Sequence, residues 1–250
     1  MTQFGEDETT ANLRETIDRE GFARLPRLIN DGTVAALRQA FDAAIEQASG
    51  AVSRRGGSVY GVRNILSDVP AVREFAASPK IRALIADLIG PGCRAVRGIF
   101  FDKTPGANWN VAWHQDLSLA LQERRELAGW GPWSQKAGVW HVQPPASFLE
   151  KMLTLRIHLD PCGLENGPLR VLPGTHLSGR FDAAKITTLR QEIAEGVCTV
   201  PQGGALLMRP LLLHASSAAQ LPAHRRVLHI EWAAEKLPHG LEWHETPVTP

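Results

Sequence analysis

From Cys93 onward the chain is divided into short apolar runs that end at Pro, Gly or Asn. Examples are CRAVRGIFFDKTP, WNVAWHQDL, MLTLRIHLDP, GPLRVLPGTH and HRRVLHIEWAAE. Runs of this length, several of them rich in β-branched residues, are typical of strands, and a series of them predicts a β-sandwich or jelly roll. We therefore expect residues 93–235 to form a double-stranded β-helix, the cupin-like form of the jelly roll.

The N-terminal part differs, because its apolar residues recur at helical spacing. This periodicity predicts three helices, over residues 8–20, 31–50 and 78–92. Thr9 or Thr10 is the candidate N-cap of the first helix, Asp31 caps the second, and Gly50 ends it.

Two further segments complete the predicted organisation. Residues 21–29 predict a short strand, and the basic, glycine-rich stretch 51–64 predicts a loop. Residues 1–92 are thus expected to be a helical support packed outside the jelly roll, within one domain over 1–250. The stretch 118–151 interrupts the strands and is rich in Trp, Pro and Gln, which predicts an insertion that acts as a substrate lid.

Composition restricts the partners of the chain. With 27 basic and 26 acidic residues the net charge is +1, so neither nucleic acid nor a membrane is an expected partner. The three cysteines, Cys93, Cys162 and Cys198, form no CxxC pair, which favours a reducing compartment. The N-terminal residues lack the pattern of a signal peptide. We expect a cytoplasmic protein, monomer or homodimer, that acts on a small molecule.

The motif WHQD at 113–116 places a histidine and an aspartate two residues apart. On a strand these residues share a face, so His114 and Asp116 are expected to lie side by side. His214, which ends another apolar run, is the candidate third ligand. Two histidines and one carboxylate leave three octahedral positions open, which suits non-haem Fe(II). The alternative is a chance HxD and a hydrogen-bonded core histidine.

A second cluster follows His214 along the chain. Ser216 comes two residues later, and Arg225 opens the next apolar run. An arginine inside a barrel needs an anion, and a guanidinium with a hydroxyl can hold a carboxylate. Strand alternation lets only one of Arg225 and Arg226 point inward. The alternative is a surface arginine at the start of a strand.

Together with RIHLDPCGLENGPLRVLPGTH at 156–176, these motifs resemble the phytanoyl-CoA dioxygenase family of Fe(II)/2-oxoglutarate oxygenases. The resemblance extends from EGFARLPRLI to HIEWAAE. It implies that His114, Asp116 and His214 bind iron. It also implies that Arg225 and Ser216 hold the C5 carboxylate of 2-oxoglutarate.

The resemblance adds two weaker candidates for the co-substrate site. Related proteins place a co-substrate-binding polar residue near the position of Lys103. At Arg156 the family often has Trp, so this chain offers a second cation for the C1 end of 2-oxoglutarate or for a substrate anion. The alternative for Arg156 is a salt bridge to Asp160 or Glu165. His141 and Gln143, within the insertion, are candidate substrate contacts.

By this resemblance the chain is a dioxygenase that uses Fe(II), 2-oxoglutarate and O₂. It would hydroxylate an aliphatic C–H bond of a small molecule, with succinate and CO₂ as co-products. Related halogenases replace the carboxylate of Asp116 with a small residue, so its presence favours hydroxylation, although desaturation, cyclisation and epimerisation use the same triad. Two alternatives stay open: a non-catalytic jelly roll that binds a metal or small molecule, and a cupin-like metal enzyme that does not use 2-oxoglutarate.

Overall fold

The computed structural model describes residues 10–47, 52–55 and 57–248. Within them the α-helices are α1 Thr10–Glu20, α2 Asp31–Gln47, α3 Ile65–Asp68, α4 Pro70–Ala77, α5 Pro79–Ile89, α6 Ala146–Leu149 and α7 Ala183–Glu192. Short 3₁₀ turns lie at Leu164–Asn166 and Thr175–Ser178. None of the helices in these ranges is both long enough and apolar enough to cross a bilayer.

The strands form three antiparallel sheets. Their bounds are β1 Phe22–Leu25, β2 Val52–Arg55, β3 Ser58–Arg63, β4 Arg94–Lys103, β5 Val111–His114, β6 Leu119–Leu121, β7 Trp133–Lys136, β8 Val139–Val142, β9 Met152–His158, β10 Leu169–Val171, β11 Gly196–Cys198, β12 Ala205–Met208, β13 His214–Ser216 and β14 Arg225–Ala233. A seven-stranded sheet has the order β1-β12-β9-β14-β4-β3-β2, a four-stranded sheet the order β11-β10-β13-β5, and a small sheet the order β6-β8-β7.

The large sheet has one apolar face and one polar face, because successive side chains of a strand point in opposite directions. On β14, Leu228 and Ile230 are buried in the main apolar core together with residues of the N-terminal helices. Arg225, His229 and Glu231 alternate with them and line a cavity whose other walls include residues of the four-stranded sheet. The helices therefore cover one face of the large sheet, and the cavity lies against the other.

The N-terminal helices largely match the sequence predictions. Helices α1, α2 and α5 lie within the three predicted segments. The N-cap of α2, however, is Asn30 and not Asp31, since the Asn30 Oδ1 atom accepts a hydrogen bond from the backbone N–H of Thr33 at 2.8 Å. The predicted cap Thr9 and the predicted stop Gly50 lie outside the described residues.

The prediction of a loop over 51–64 is wrong. Val52–Arg55 and Ser58–Arg63 pair as antiparallel strands and extend the edge of the large sheet beyond β4. Basic and polar residues are compatible with an edge strand, because one of its faces is open to water. Residues 1–92 are consequently not a purely helical support: β1, β2 and β3 all belong to the large sheet.

Helix α3 lies directly on β4, and two features permit this close contact. Gly98 of β4 has no side chain, and a Cβ atom there would lie 2.5 Å from Ile65 Cγ1 and 3.1 Å from Leu66 Cγ. The buried carboxyl of Glu245 accepts hydrogen bonds from the backbone N–H groups of Leu66 and Gly98, both at 2.7 Å. Helix, strand and C-terminal segment are therefore joined at one point.

Gly98→Ala is expected to lower the free energy of unfolding by about 1–3 kcal/mol, because the added methyl group overpacks the contact with Ile65. Urea unfolding monitored by circular dichroism measures this. The matched control is Gly92→Ala, whose added Cβ would meet only the Ala234 carbonyl oxygen, at 3.8 Å. Equal stability of the two variants would contradict the proposed contact.

Candidate active site

The predicted metal ligands meet at one end of the four-stranded sheet. His114 ends β5 and His214 begins β13, and the two residues are direct cross-strand partners. Asp116 follows just after β5, and its carboxylate oxygens lie 3.7 Å from the Nε2 atom of each histidine. One ligand atom from each of the three residues lies within 4.8 Å of the others, and no other such group of His, Cys, Asp or Glu occurs among the described residues.

Backbone carbonyls select the tautomer of both histidines. The Nδ1 atom of His114 lies 2.8 Å from the carbonyl oxygen of Ala112, and that of His214 lies 2.9 Å from the carbonyl oxygen of Leu212. Because a carbonyl only accepts, each Nδ1 must carry the proton and donate it. Both Nε2 atoms then present lone pairs toward Asp116, so this donor set fits a divalent metal such as iron.

Burial and nearby charges keep the triad residues in the protonation states that bind a metal. Burial alone would raise the pKa of Asp116, but the adjacent His214, the other imidazoles nearby and Arg156 outweigh it and lower the pKa to about 2. Burial lowers the pKa of His214 to about 4, although Asp116 opposes this shift. An ionised carboxylate and a neutral imidazole at neutral pH are the protonation states that a metal requires.

Two polar residues outside the triad hold its strands in place. The Gln115 side chain donates to the carbonyl oxygens of Gly179 (2.7 Å) and Leu211 (2.6 Å). The Thr175 hydroxyl, within the PGTH segment at 173–176, accepts from the backbone N–H of Leu213 at 3.0 Å. These bonds anchor the residues that immediately follow His114 and precede His214.

A pair of buried cations lies at one end of the cavity. Arg225 and Lys103 are direct cross-strand partners on β14 and β4. The Lys103 Nζ atom donates to the Ser216 hydroxyl at 3.2 Å, and Arg225 donates to the Gly167 carbonyl. Neither Lys103 nor Arg225 forms a salt bridge with an acidic residue in the described part of the chain. The Arg225 Nε atom has no hydrogen-bond partner. Like charges placed directly opposite destabilise a sheet, so this pair is arranged for an anion.

Arg156 lies between the cation pair and the triad. Its Nη1 atom donates to His229 Nδ1 at 2.7 Å, while its Nε atom is buried without a partner. Burial, then repulsion by Arg225, lowers its pKa to about 10. The predicted alternative of a salt bridge to Asp160 is absent, because Arg226 and Arg38 occupy that carboxylate on the helix-covered side.

The insertion contributes to the cavity wall but only in part. It folds into the sheet β6-β8-β7 and helix α6, and its apolar residues pack into a core cluster with Met152 and Trp243. His141 and Lys136 line the cavity, whereas Gln143 is not among the lining residues. The action of this segment as a lid stays a prediction.

The far end of the cavity contains residues that no sequence motif had indicated as part of the site. Arg97 Nη1 lies 3.0 Å from Glu231 Oε1, and His229 Nε2 lies 3.5 Å from the same oxygen. The alternation of Arg225, His229 and Glu231 along β14 was the available signal. Arg97 could not be placed in the same way, because its position depends on the pairing of β4 with β14.

Comparison with known proteins agrees with this architecture. The family model of phytanoyl-CoA dioxygenase (PhyH) matches residues 17–227. The chain belongs to the phytanoyl-CoA dioxygenase family. Family membership confirms the predicted enzyme class, a 2-oxoglutarate-dependent oxygenase.

Individual relatives are distant. The chain is 24% identical over 242 residues to the L-proline trans-4-hydroxylase of Streptomyces griseoviridis, covering 86% of this chain and 82% of that protein. Among solved structures, the non-heme alpha ketoglutarate dependent carbocyclase SnoK from nogalamycin biosynthesis has a TM-score of 0.70 at 18% identity, covering 92% of this chain and 87% of its own. EctD from S. alaskensis with 2-oxoglutarate and 5-hydroxyectoine has a TM-score of 0.70 at 17% identity, covering 93% and 79%. These likenesses confirm the jelly-roll fold.

Asp116→Ala is expected to abolish stoichiometric Fe(II) binding, because two neutral imidazoles lack the charged third ligand. Anaerobic isothermal titration calorimetry measures the stoichiometry and affinity. The control is His239→Asn, since His239 is exposed outside the cavity and asparagine tolerates its left-handed backbone (φ 53°). Unchanged Fe(II) affinity in the aspartate variant would show that the metal binds elsewhere.

Proposed function

We propose that this protein hydroxylates an aliphatic C–H bond of a small molecule, with iron held by His114, Asp116 and His214. The reaction converts substrate, 2-oxoglutarate and O₂ into an alcohol, succinate and CO₂. The observation that carries the proposal is the cation pair Lys103 and Arg225: Arg225 and Ser216 line the same cavity as the triad, and Lys103 donates to the Ser216 hydroxyl. Together they offer sites for a metal and for a dicarboxylate. When bound, the iron and 2-oxoglutarate supply the oxidising power.

The residues of the chain would act by binding and orientation. Arg225 and Lys103, with the Ser216 hydroxyl, would hold the C5 carboxylate of 2-oxoglutarate through charge-assisted hydrogen bonds. Arg156 lies between this carboxylate site and the triad. It would face the end of 2-oxoglutarate nearer the iron and restrict the orientation of the bound co-substrate. Asp116 would occupy the position that a halogenase leaves to chloride, which favours hydroxylation.

Two alternatives from the sequence lose support. A non-catalytic jelly roll that binds a metal or a small molecule would account for the triad or for the cations, but it gives no reason for both to meet at one cavity. A cupin-like enzyme that does not use 2-oxoglutarate would leave the Lys103 and Arg225 charges without an anion. Release of succinate from 2-oxoglutarate in the presence of Fe(II) and O₂ tests the proposed function directly, and its absence across a broad substrate screen would argue against it.

Arg225→Gln is expected to weaken 2-oxoglutarate binding by roughly 10- to 100-fold, because a charge-assisted hydrogen bond to the carboxylate is lost. The measurement is the dissociation constant of 2-oxoglutarate in the Fe(II)-loaded protein under anaerobic conditions. Arg226→Gln is the matched control: the neighbouring residue on the same strand bonds Asp160 instead. Equal weakening in both variants would point to a general loss of structure.

The affinity for 2-oxoglutarate is expected to fall as the pH rises above about 7. Burial, then the nearby Arg225, lowers the pKa of Lys103 from 10.5 to about 7. A bound carboxylate favours the charged ammonium and raises this pKa again, so binding takes up a proton between the two pKa values. Affinity is therefore complete below about pH 7 and declines above it.

Calorimetry at pH 8 in buffers of different ionisation enthalpy measures this proton uptake. Lys103→Met should show weaker binding at pH 6 and little further change up to pH 8. A wild-type affinity that is constant between pH 6 and pH 8 would rule out Lys103 as a titrating contact of the co-substrate.

A further inference from the structure

The cavity has two polar ends, and the triad faces the region between them. Arg225 lines one end, with its cross-strand partner Lys103 beside it, and Glu231 and Arg97 are the corresponding pair at the other. The strand between these pairs spans roughly 20 Å. His229, which lies between these two pairs on β14, lines the cavity together with the triad. If the first end holds 2-oxoglutarate, the second is left for the substrate.

The second end offers two cationic donors. Arg97 uses one of its N–H groups on Glu231; its side chain lines the cavity and is 15% exposed. Lys136, near the tip of the hairpin formed by β7 and β8, lines the same cavity and is exposed. A guanidinium with free N–H groups beside an ammonium is suited to a carboxylate.

The same end also offers two acceptors. The His141 Nδ1 atom lies 3.0 Å from the Val139 carbonyl oxygen and must donate to it, so Nε2 is the unprotonated acceptor. This Nε2 atom is buried and has no partner among the described residues. Burial and the nearby cations lower the pKa of His141 to about 4, which keeps the ring neutral. Both short contacts of Glu231 use Oε1, which leaves Oε2 as the second acceptor.

We propose that this end of the cavity binds a small zwitterion, with its carboxylate on Arg97 and Lys136 and its protonated amine on Glu231 and His141. The inference rests on the proposed function and specifies its substrate class: a free amino acid or a molecule with the same two groups. The cavity volume of about 340 Å³ is compatible with a small substrate beside 2-oxoglutarate. An uncharged substrate would leave the remaining N–H groups of Arg97 and the Oε2 atom of Glu231 without complementary partners.

The test is anaerobic calorimetry of the protein loaded with Fe(II) and 2-oxoglutarate, titrated with a panel of free L-amino acids. For each amino acid that binds, its amide removes the carboxylate charge and its N-acetyl derivative removes the amine charge. We expect at least one free amino acid to bind, and both derivatives to bind roughly 10- to 100-fold more weakly.

Variants assign the two contacts. Arg97→Gln and Glu231→Gln should each weaken amino-acid binding by roughly 10- to 100-fold while leaving the affinity for 2-oxoglutarate unchanged. Arg94→Gln is the matched control, because Arg94 lies at the start of the same strand and does not line the cavity. Thermal unfolding of each variant shows whether it is folded, and the wild-type comparison of derivatives does not depend on the variants.

The possible failures are distinguishable. A protein that binds 2-oxoglutarate but none of the free amino acids, or that binds the amide as tightly as the acid, would overturn the zwitterion site and leave the proposed function standing. A protein that does not bind 2-oxoglutarate with Fe(II) would overturn the proposed function, and the substrate assignment with it.

Discussion

The antiparallel register of β14 with β4 and β9 is the constraint on which the cavity depends. It sets Arg225 opposite Lys103, His229 opposite both Arg156 and Ile99, and Glu231 opposite Arg97. A shift of β14 by one residue would turn Arg225, His229 and Glu231 toward the helices and bring the apolar residues of this strand to the cavity. The packing of the N-terminal helices on Leu228, Ile230 and Trp232 therefore also fixes the polar lining on the other side.

Burying the two cations at the first end of the cavity lowers the stability of the protein when no ligand is bound. This unfavourable arrangement indicates what the cavity binds. Arg225 and Lys103 are both buried, face each other and have no acidic partner in the described residues. Buried cations are ordinarily paired or shift their pKa, and here the pKa of Lys103 is lowered to about 7. Arg97, by contrast, already has Glu231 as a partner. The cations at the first end are thus without a carboxylate, which favours a dianion there, whereas the paired Arg97 and Glu231 at the second end suit the two opposite charges of the proposed zwitterion.

Local patterns in the sequence predicted the features that depend only on strand alternation. The HxD spacing put His114 and Asp116 together, and alternation allowed only one of Arg225 and Arg226 to face the cavity. The pairing of Arg97 with Glu231 joins residues far apart in sequence, so its register was not readable from one chain. The hairpin at 52–63 was missed because its basic, glycine-rich composition is typical of loops. Helix α7 was missed because it buries no side chain and so has no apolar periodicity.

Three histidines in this cavity form the same local hydrogen bond to the backbone but have different neighbours. His114, His214 and His141 each donate from Nδ1 to the carbonyl oxygen two residues earlier, which leaves Nε2 as a lone-pair donor. The first two direct it toward Asp116, where an ionised carboxylate completes a metal site. His141 lies instead near Arg97 and Lys136, and its buried Nε2 atom has no hydrogen-bond partner among the described residues. No second group of three metal-ligating residues includes His141 in the described part of the chain. Its Nε2 atom is therefore available to accept a hydrogen bond from the amine of the proposed substrate.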